Sequence, residues 1–367
     1  MNFDLSDEQK MLAEQARGLL GERSTPDRLR ALIDSGAEWD EPLWREIAEM
    51  GFLGATIPES FGGLGLTELD LGVISEEMGR ANVALPFFSS IVLAADAIRL
   101  AGSEEQKAVW LPKLASGEAI GTFAYAEGAA GWAGPALKAT FEGGALNATK
   151  TPVADGGIAT VAVVLAQTGG KPALVLVDLA QPGVIRTKLD SFDQLRPHYT
   201  LTFTNASAEL LAGQAIEELF DRAAVQAAFE AVGGTDACLT MARDYAMERA
   251  MFGRPLASYQ AIKHKLADIA VALELARSNA YFGGWAAGES TGDLPSAAAA
   301  ARLTAISAFE RAARENLQVH GGIGYTWEAN CHFYYRRERT LAVSLGNREA
   351  WADRLMSHLP AEQAKGA

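Results

Sequence analysis

The sequence predicts an α+β fold of three successive segments: an N-terminal helical domain over residues 1–119, a middle antiparallel β domain over 120–212, and a C-terminal four-helix bundle over 213–367. Three observations carry this. Apolar residues recur at helical spacing before about residue 119 and again after 212. Between those points apolar and polar residues alternate instead. And a chain of 367 residues exceeds the size at which one core keeps growing, so two or three domains are expected.

Taken in order, Ser6 precedes an acidic run and then Met11, Leu12, Ala16, Leu19 and Leu20, a capped amphipathic helix. Trp44, Ile47, Ala48 and Met50 continue the pattern, and Gly51 ends it. Residues 57–66 are glycine-rich but lack the Lys-Ser/Thr ending of a phosphate loop and follow no strand; they read as a tight turn. Helical patterns resume at 69–80 and 89–100. In the middle segment Tyr199, Leu201 and Phe203 alternate with Thr200, Thr202 and Thr204, Gly143 and Gly144 stand where a hairpin turns, and 161–165 and 174–177 are short apolar strands. Beyond it, 220–249 forms one long helix. Ile262, Leu266, Ile269, Leu273 and Ala276 give the next an apolar stripe, and Leu303, Ile306, Ala313 and Leu317 mark a third after Pro295. Long helices joined by tight corners make a bundle.

Composition narrows the function classes. With 49% hydrophobic and 21% charged residues the chain is ordinary globular protein. A net charge of −14 leaves no basic stripe, which excludes nucleic acid and anionic membranes as main partners. There is no run of about 18 uncharged apolar residues and no basic-then-apolar leader, so a cytoplasmic location is expected. Cys238 and Cys331 fit a reducing compartment and imply no disulfide framework. The spacing of His320, Cys331 and His332 matches no common ligand set, so no metal is expected.

The most informative stretch is 249–268. An arginine ends one helical pattern, a Phe-Gly-Arg-Pro-Leu break demands a turn, and a second helical pattern begins near Ser258. An ordinary helix-turn-helix with a surface arginine would carry the same residues. The break also resembles the Arg-x-x-Phe-Gly…Gln corner of the acyl-CoA dehydrogenase family, whose Arg, Phe and Gln reach the pyrophosphate and adenosine part of FAD bound in a neighbouring subunit. The resemblance implies that role for Arg249, Phe252 and Gln260. The residue types suit it, since a guanidinium offers phosphate oxygens several donors in a fixed fork. Residues 318–328 resemble the family's Gln-x-x-Gly-Gly-x-Gly element, which implies that Gln318, Gly321 and Gly322 approach the adenosine half of a partner's FAD. The turn at 57–66 and the stretch 111–118 match as well, so the resemblance covers nearly the whole chain.

Two departures stand out. The family's Thr-Glu-Pro-x-x-Gly-Ser-Asp loop, which hydrogen-bonds the flavin ring and touches the acyl-CoA, is replaced by Ala126, Glu127, Gly128, Ala129, Ala130, Gly131 and Trp132. Its Trp-Ile-Ser/Thr run aligns with Pro152, Val153 and Ala154. A flavin pocket without a stacked aromatic or donor hydroxyls loses much of its hold on the ring. The reaction also needs a carboxylate in a dry site to take a proton from the carbon beside the thioester carbonyl. The family's two places for it align with Leu345, followed by Gly346, and with Ala223 and Ala224. No catalytic residue is therefore expected in this chain. Glu217, Glu218, Glu230, Glu338 and Glu349 read as solvated helix-face charges.

Taken together, the resemblance implies a subunit of an FAD-dependent acyl-CoA dehydrogenase, similar to the non-catalytic member of heteromeric, steroid-type bacterial pairs. A second subunit of the same fold, in a heterodimer or heterotetramer, supplies the base and the ring pocket, and an acyl-CoA thioester is the substrate. Three other readings stay open: a self-sufficient homo-oligomer with its base moved, for instance to Glu349; a non-enzymatic scaffold that kept the fold; and a nitroalkane-oxidase or flavin-hydroxylase relative.

Overall fold

Ser6 opens the first helix as its sequence demands: the hydroxyl accepts from the Gln9 N–H at 3.1 Å and the Gln9 side-chain oxygen accepts from the Ser6 N–H at 3.0 Å. A computed structural model describes residues 5–128, 137–289 and 292–358. In chain order the elements are α1 (Asp7–Arg23), α2 (Pro26–Ser35), α3 (Glu41–Glu49), α4 (Glu68–Arg80), α5 (Asp96–Ala101) and α6 (Glu104–Ala115). The strands follow: β1 (Gly121–Ala124), β2 (Thr140–Glu142), β3 (Ala145–Ala154), β4 (Val161–Thr168), β5 (Lys171–Asp178), β6 (Val184–Lys188), β7 (His198–Ser207) and β8 (Glu209–Leu210). Then come α7 (Ile216–Glu248), the short pair β9 (Ala250–Met251) and β10 (Arg254–Pro255), α8 (Gln260–Gly288), α9 (Leu294–His320), α10 (Cys331–Val343) and α11 (Arg348–His358). This is the α+β order that the change of period predicts.

Two compact units share the chain, one built from residues 1–28, 68–83 and 224–367, the other from 29–67 and 84–223. The second holds the sheet, ordered β6-β7-β3-β2-β4-β5-β8 with β1 beside β4. Most pairs are antiparallel, but β1 runs parallel to β4, and Thr140 of β2 pairs parallel with Gln167. Gly143 and Gly144, at φ +57° and +83°, make the predicted turn between β2 and β3, where both central residues need positive φ. Val161–Leu165 and Leu174–Val177 are buried throughout, and Tyr199, Leu201 and Phe203 face the core from β7. The segment predicted as one helix over 89–100 is instead a π-helical stretch, Phe88–Ala95, continued by α5. There Ser90 accepts the Gly121 N–H at 2.9 Å and Ser89 donates to Asp155 at 2.6 Å, bonds outside the helix of the kind that accompany a widened turn.

Residues 57–66 form the predicted turn. Their N–H groups are spent inside the chain, Gly63 on Pro58, Leu64 on Gly54, Gly65 on Ile57 and Leu66 on Ala55, which leaves that loop unfit to cradle a phosphate.

In the first unit α8 packs along α9, α9 against α10 and α11, α1 against α4, and α4 against α8. α4 and α7 cross at two glycines with no room for a side chain. A Cβ on Gly79 would lie 2.0 Å from the Glu230 carbonyl oxygen, and one on Gly233 would lie 1.8 Å from that of Glu76. Among the described residues no helix is long and apolar enough to cross a membrane.

Candidate functional site

The last turn of α7 hands the chain to Arg249, whose N–H donates to the Tyr245 carbonyl at 2.8 Å. β9 and β10 then pair in register Met251↔Arg254, which leaves Phe252 and Gly253 as the two-residue tip, at φ +51° and +79°. A phenylalanine at positive φ is a strained choice, and this one is 92% exposed. The Arg254 guanidinium lies 4.0 Å from the centroid of the Tyr259 ring, and the Tyr259 hydroxyl donates to the Met251 carbonyl at 2.8 Å. α8 begins at Gln260, itself exposed, without a side-chain cap, and the Ile262 and Lys263 N–H groups both donate to the Tyr259 carbonyl. Arg249, Arg254 and Lys263 have no carboxylate partner among the described residues, in a chain where Asp and Glu outnumber Lys and Arg by 46 to 32.

The second predicted element joins this corner. Ala242, Ala246 and Val319 form a buried cluster with Tyr245, Leu256, Ala257, Ile262 and Leu266 packed against it. It ties the end of α7, the corner, the start of α8 and the end of α9 into one body. Gln318 is exposed on the last turn of α9, and its carbonyl accepts the Gly321 N–H. Gly321, at φ +63° and ψ −139°, holds a conformation that only glycine adopts readily, and the space around Gly321 and Gly322 is open. The structure thus gathers Arg249, Phe252, Gln260, Gln318, Gly321 and Gly322 on elements sharing one apolar cluster.

The two segments that align with the family's ring-binding residues also meet. The Thr151 N–H donates to the Ala126 carbonyl at 2.9 Å, and the Gly128 N–H to the Thr151 carbonyl at 2.8 Å. Beneath them the fully buried Lys150 ammonium pairs with Glu127 at 2.7 Å, and Glu127 also accepts the Lys138 and Ala139 N–H groups. Burial pushes the Lys150 ammonium below its usual range against the pull of Glu127. Burial acts on the Glu127 carboxyl too, raising it, but Lys150 and the two N–H donors hold it below its usual range. Pro152 is exposed, Val153 is buried, and the Thr151 hydroxyl is engaged with that of Thr200 at 2.9 Å. Pro152, Val153 and Ala154 offer neither an aromatic face nor a hydroxyl; Ala129, Ala130, Gly131 and Trp132 lie outside the described residues.

At the base positions, Ala223 and Ala224 are fully buried in α7. Leu345 is 3% exposed at φ +58°, its carbonyl accepting the Trp351 indole N–H at 3.0 Å. The buried Arg302 fixes the turn just before it by donating to the Leu341 and Ser344 carbonyls at 2.6 and 2.5 Å. Glu217, Glu218 and Glu349 are exposed, as the sequence suggests, and Glu218 pairs with Arg222. Two expectations are corrected. Glu230 is not solvated: it is buried and pairs with the buried Arg337 at 3.1 Å. Glu338 is not solvated either. It is fully buried on α10, bonded to the Arg339 guanidinium, and burial pushes its carboxyl up to about 7 against the pull of Arg339. On a helix covered from every side, a charge reads in sequence like one facing water, and the partner of Glu230 lies 107 residues away.

His320 stacks on Tyr245 and its Nδ1 lies 2.8 Å from the Asn316 carbonyl, while Cys331 is buried against Met241. Among the described residues no three His, Cys, Asp or Glu side chains cluster as metal ligands would.

Comparison with known proteins agrees over most of the length. The family models for the acyl-CoA dehydrogenase N-terminal and C-terminal domains match residues 6–118 and 213–359. Acyl-CoA dehydrogenase IpdE2 of Mycobacterium tuberculosis is 31% identical over 332 residues, 90% of this chain and 91% of that protein. Among solved structures, a variant of the Tcur3481-Tcur3483 steroid ACAD superposes with a TM-score of 0.90 at 31% identity, covering 98% of this chain and 99% of that one. The ChsE4-ChsE5 complex from Mycobacterium tuberculosis gives a TM-score of 0.90 at 27% identity, over 98% of this chain and 100% of that one.

Proposed function

The chain belongs to the FAD-dependent acyl-CoA dehydrogenase family, and on that premise we propose that it is the subunit that completes a flavin site held mainly by a partner of the same fold and that carries no catalytic base of its own. The reaction is α,β-desaturation of an acyl-CoA thioester in a cytoplasmic heterodimer or heterotetramer. The heteromeric complex and the steroid ACAD among the similar structures support a paired assembly and a bulky, steroid-like acyl group.

The observation that carries the reading is the corner. Phe252 stands 92% exposed in a strained backbone between Arg249 and Arg254, neither of which has a carboxylate partner among the described residues. A lone exposed aromatic held at positive φ brings the isolated subunit no stability. Against a partner's dinucleotide the same group supplies a flat apolar contact, with two fixed guanidinium forks and an uncapped helix start beside it. Arg249, Phe252, Gln260, Gln318, Gly321 and Gly322 would hold the adenosine and pyrophosphate half of FAD; the group itself, when bound, supplies the hydride acceptor.

The ring half does not fit. Ala126, Pro152, Val153 and Ala154 provide no clamp, and the backbone groups of Ala126, Gly128 and Thr151 pair with one another. No carboxylate stands at Leu345, Ala223 or Ala224. Exposed Glu349 lacks the dry surroundings a base needs, and Glu338 is sealed inside α10's packing. Proton abstraction therefore falls to the partner, while this chain orients and shields the cofactor from its far end. The test is flavin retention by the complex: Arg249→Ala should lower bound flavin per complex at least tenfold in the dialysis midpoint, while subunit pairing is kept. Unchanged retention would overturn the lent-corner reading, as would a full flavin complement in this chain purified alone.

A further inference from the structure

Arg254 and Tyr259 are not among the residues that the corner's resemblance singles out, yet the corner is built around their contact. Arg254 stands on β10 directly across from Met251 of β9, beside the tip formed by Phe252 and Gly253. Its guanidinium lies over the Tyr259 ring, 4.0 Å from the centroid, while the Tyr259 hydroxyl reaches the other strand and donates to the Met251 carbonyl at 2.8 Å. One side chain therefore touches both strands of the ribbon. Its own backbone is fixed from below. The Tyr259 N–H donates to the Leu256 carbonyl at 3.0 Å, and the Tyr259 carbonyl accepts the Ile262 and Lys263 N–H groups at 3.1 and 3.0 Å. Leu256, Ala257 and Ile262 around it pack on the buried Ala242, Ala246 and Val319.

An exposed arginine ordinarily samples many rotamers, and ordering it on binding costs affinity. Stacked on a ring, the guanidinium keeps one orientation, and the stack occupies its face while its N–H donors point out from its edge. Arg254 has no carboxylate partner among the described residues, in a chain of net charge −14. Arg249, at the foot of the same ribbon, has none either, and its carbonyl accepts the Leu256 N–H at 2.8 Å. Two oriented cations beside one exposed aromatic match a diphosphate carrying an aromatic base better than they match a single anionic group.

We infer that Arg254 is a second diphosphate contact and that Tyr259 is the positioning residue that holds it, its ring fixing the guanidinium and its hydroxyl fixing the strand that leads to Phe252. The inference rests on the reading of this corner as lent to a partner-held FAD. It goes further by adding a pair of residues outside the set Arg249, Phe252 and Gln260 and by giving each a separate part.

The test is flavin retention by the intact complex, purified through a tag on this chain and dialysed at rising sodium chloride over the range in which the complex keeps its mass. Salt screens a charge contact and leaves an apolar one nearly untouched, so the salt dependence reports the guanidinium. Arg254→Gln is expected to lower retention about tenfold at low salt and to flatten the salt dependence. Tyr259→Leu should lower it about threefold and flatten the salt dependence in part, because the fork is no longer held. Tyr259→Phe, which keeps the ring under Arg254, should keep the wild-type salt dependence. Wild-type retention in Arg254→Gln would overturn the inference. So would a Tyr259→Leu complex that loses flavin with an unchanged salt dependence, since Tyr259 would then only shape the turn. Arg249→Ala is measured alongside. If it releases flavin and Arg254→Gln does not, this inference alone fails; if neither releases flavin, the lent-corner reading fails and takes this inference with it.

Discussion

Tyr245 and His320 stack with ring centroids 4.2 Å apart and planes at 26°, joining the last turn of α7 to the last turn of α9. Each residue lies within a few positions of a predicted cofactor contact, Arg249 on one side and Gln318 and Gly321 on the other. The stack therefore sets the spacing between the two elements as much as it adds stability. Removing it should cost about 1–2 kcal/mol, the aromatic pairing plus part of a half-buried ring. Tyr245→Ala is expected to lower the unfolding free energy obtained from urea denaturation by that amount and to weaken flavin retention in the complex, and Tyr245→Phe, which keeps the stack, to do neither. A Tyr245→Ala protein with wild-type flavin retention would show that the two elements hold their spacing without it.

The Arg337–Glu230 pair ties α10 to α7, with side chains 1% and 5% exposed and 3.1 Å apart. Arg337 also donates to the Val83 carbonyl at 3.0 Å. Removing one member leaves an uncompensated charge in the interior, a loss of about 3–5 kcal/mol, whereas removing both costs much less. Arg337→Met should be strongly destabilised in urea, and Arg337→Met/Glu230→Gln should recover most of the loss. A double variant no better than the single one would mean that the arginine's backbone bond, and not the ion pair, is what α10 relies on.

How much of this was legible in the sequence follows from the range of each interaction. The capping box at Ser6, the Gly143-Gly144 turn and the apolar strands at 161–165 and 174–177 depend on neighbours a few residues apart, and they appear where the pattern puts them. The corner at 249–260 is legible for the same reason: its turn, its glycine and its helix start are local. The burial of Glu230 and Glu338 is not, because it is decided by helices packed over them from distant parts of the chain. The π-helical winding at Phe88–Ala95 occurs where Ser90 and Ser89 bond to Gly121 and Asp155, residues far along the chain, and it leaves the local apolar pattern looking like any helix.

Leu345 combines burial with left-handed backbone, at 3% exposure and φ +58°. The usual order of truncations should therefore invert there. Leu345→Ala loses about 2 kcal/mol of apolar burial and keeps the strained φ. Leu345→Gly loses the same burial but relieves about 1–2 kcal/mol of backbone strain, less the extra freedom it gives the unfolded chain. In urea denaturation the glycine variant should be the more stable of the two. The opposite order would mean that the turn fixed by Arg302 and Trp351 relaxes freely when the side chain is shortened.

Glu338 makes stability depend on pH with a defined sign. Burial raises its carboxyl from the ordinary 4.5 to about 7 in the folded protein, against the pull of Arg339. Between those values the folded state keeps a proton that the unfolded chain has released. Stability from this group is therefore fully present below about pH 4.5, declines as pH rises through the window, and is lost once pH passes about 7. The groups facing it are Arg339 on its own helix, Glu310 on α9 and Cys238 on α7. Arg339 stays charged throughout, Cys238 is held neutral by burial, and Glu310 acts on Glu338 as a like charge that reinforces the upward shift. Glu338→Gln removes the titration while nearly keeping the shape. Urea midpoints of wild type and Glu338→Gln, compared from pH 5 to pH 8, should converge at the acid end and diverge as pH rises, with the wild type falling relative to the variant. Parallel curves across that range would mean that Glu338 stays ionised in the fold and that its unpartnered oxygen finds a donor.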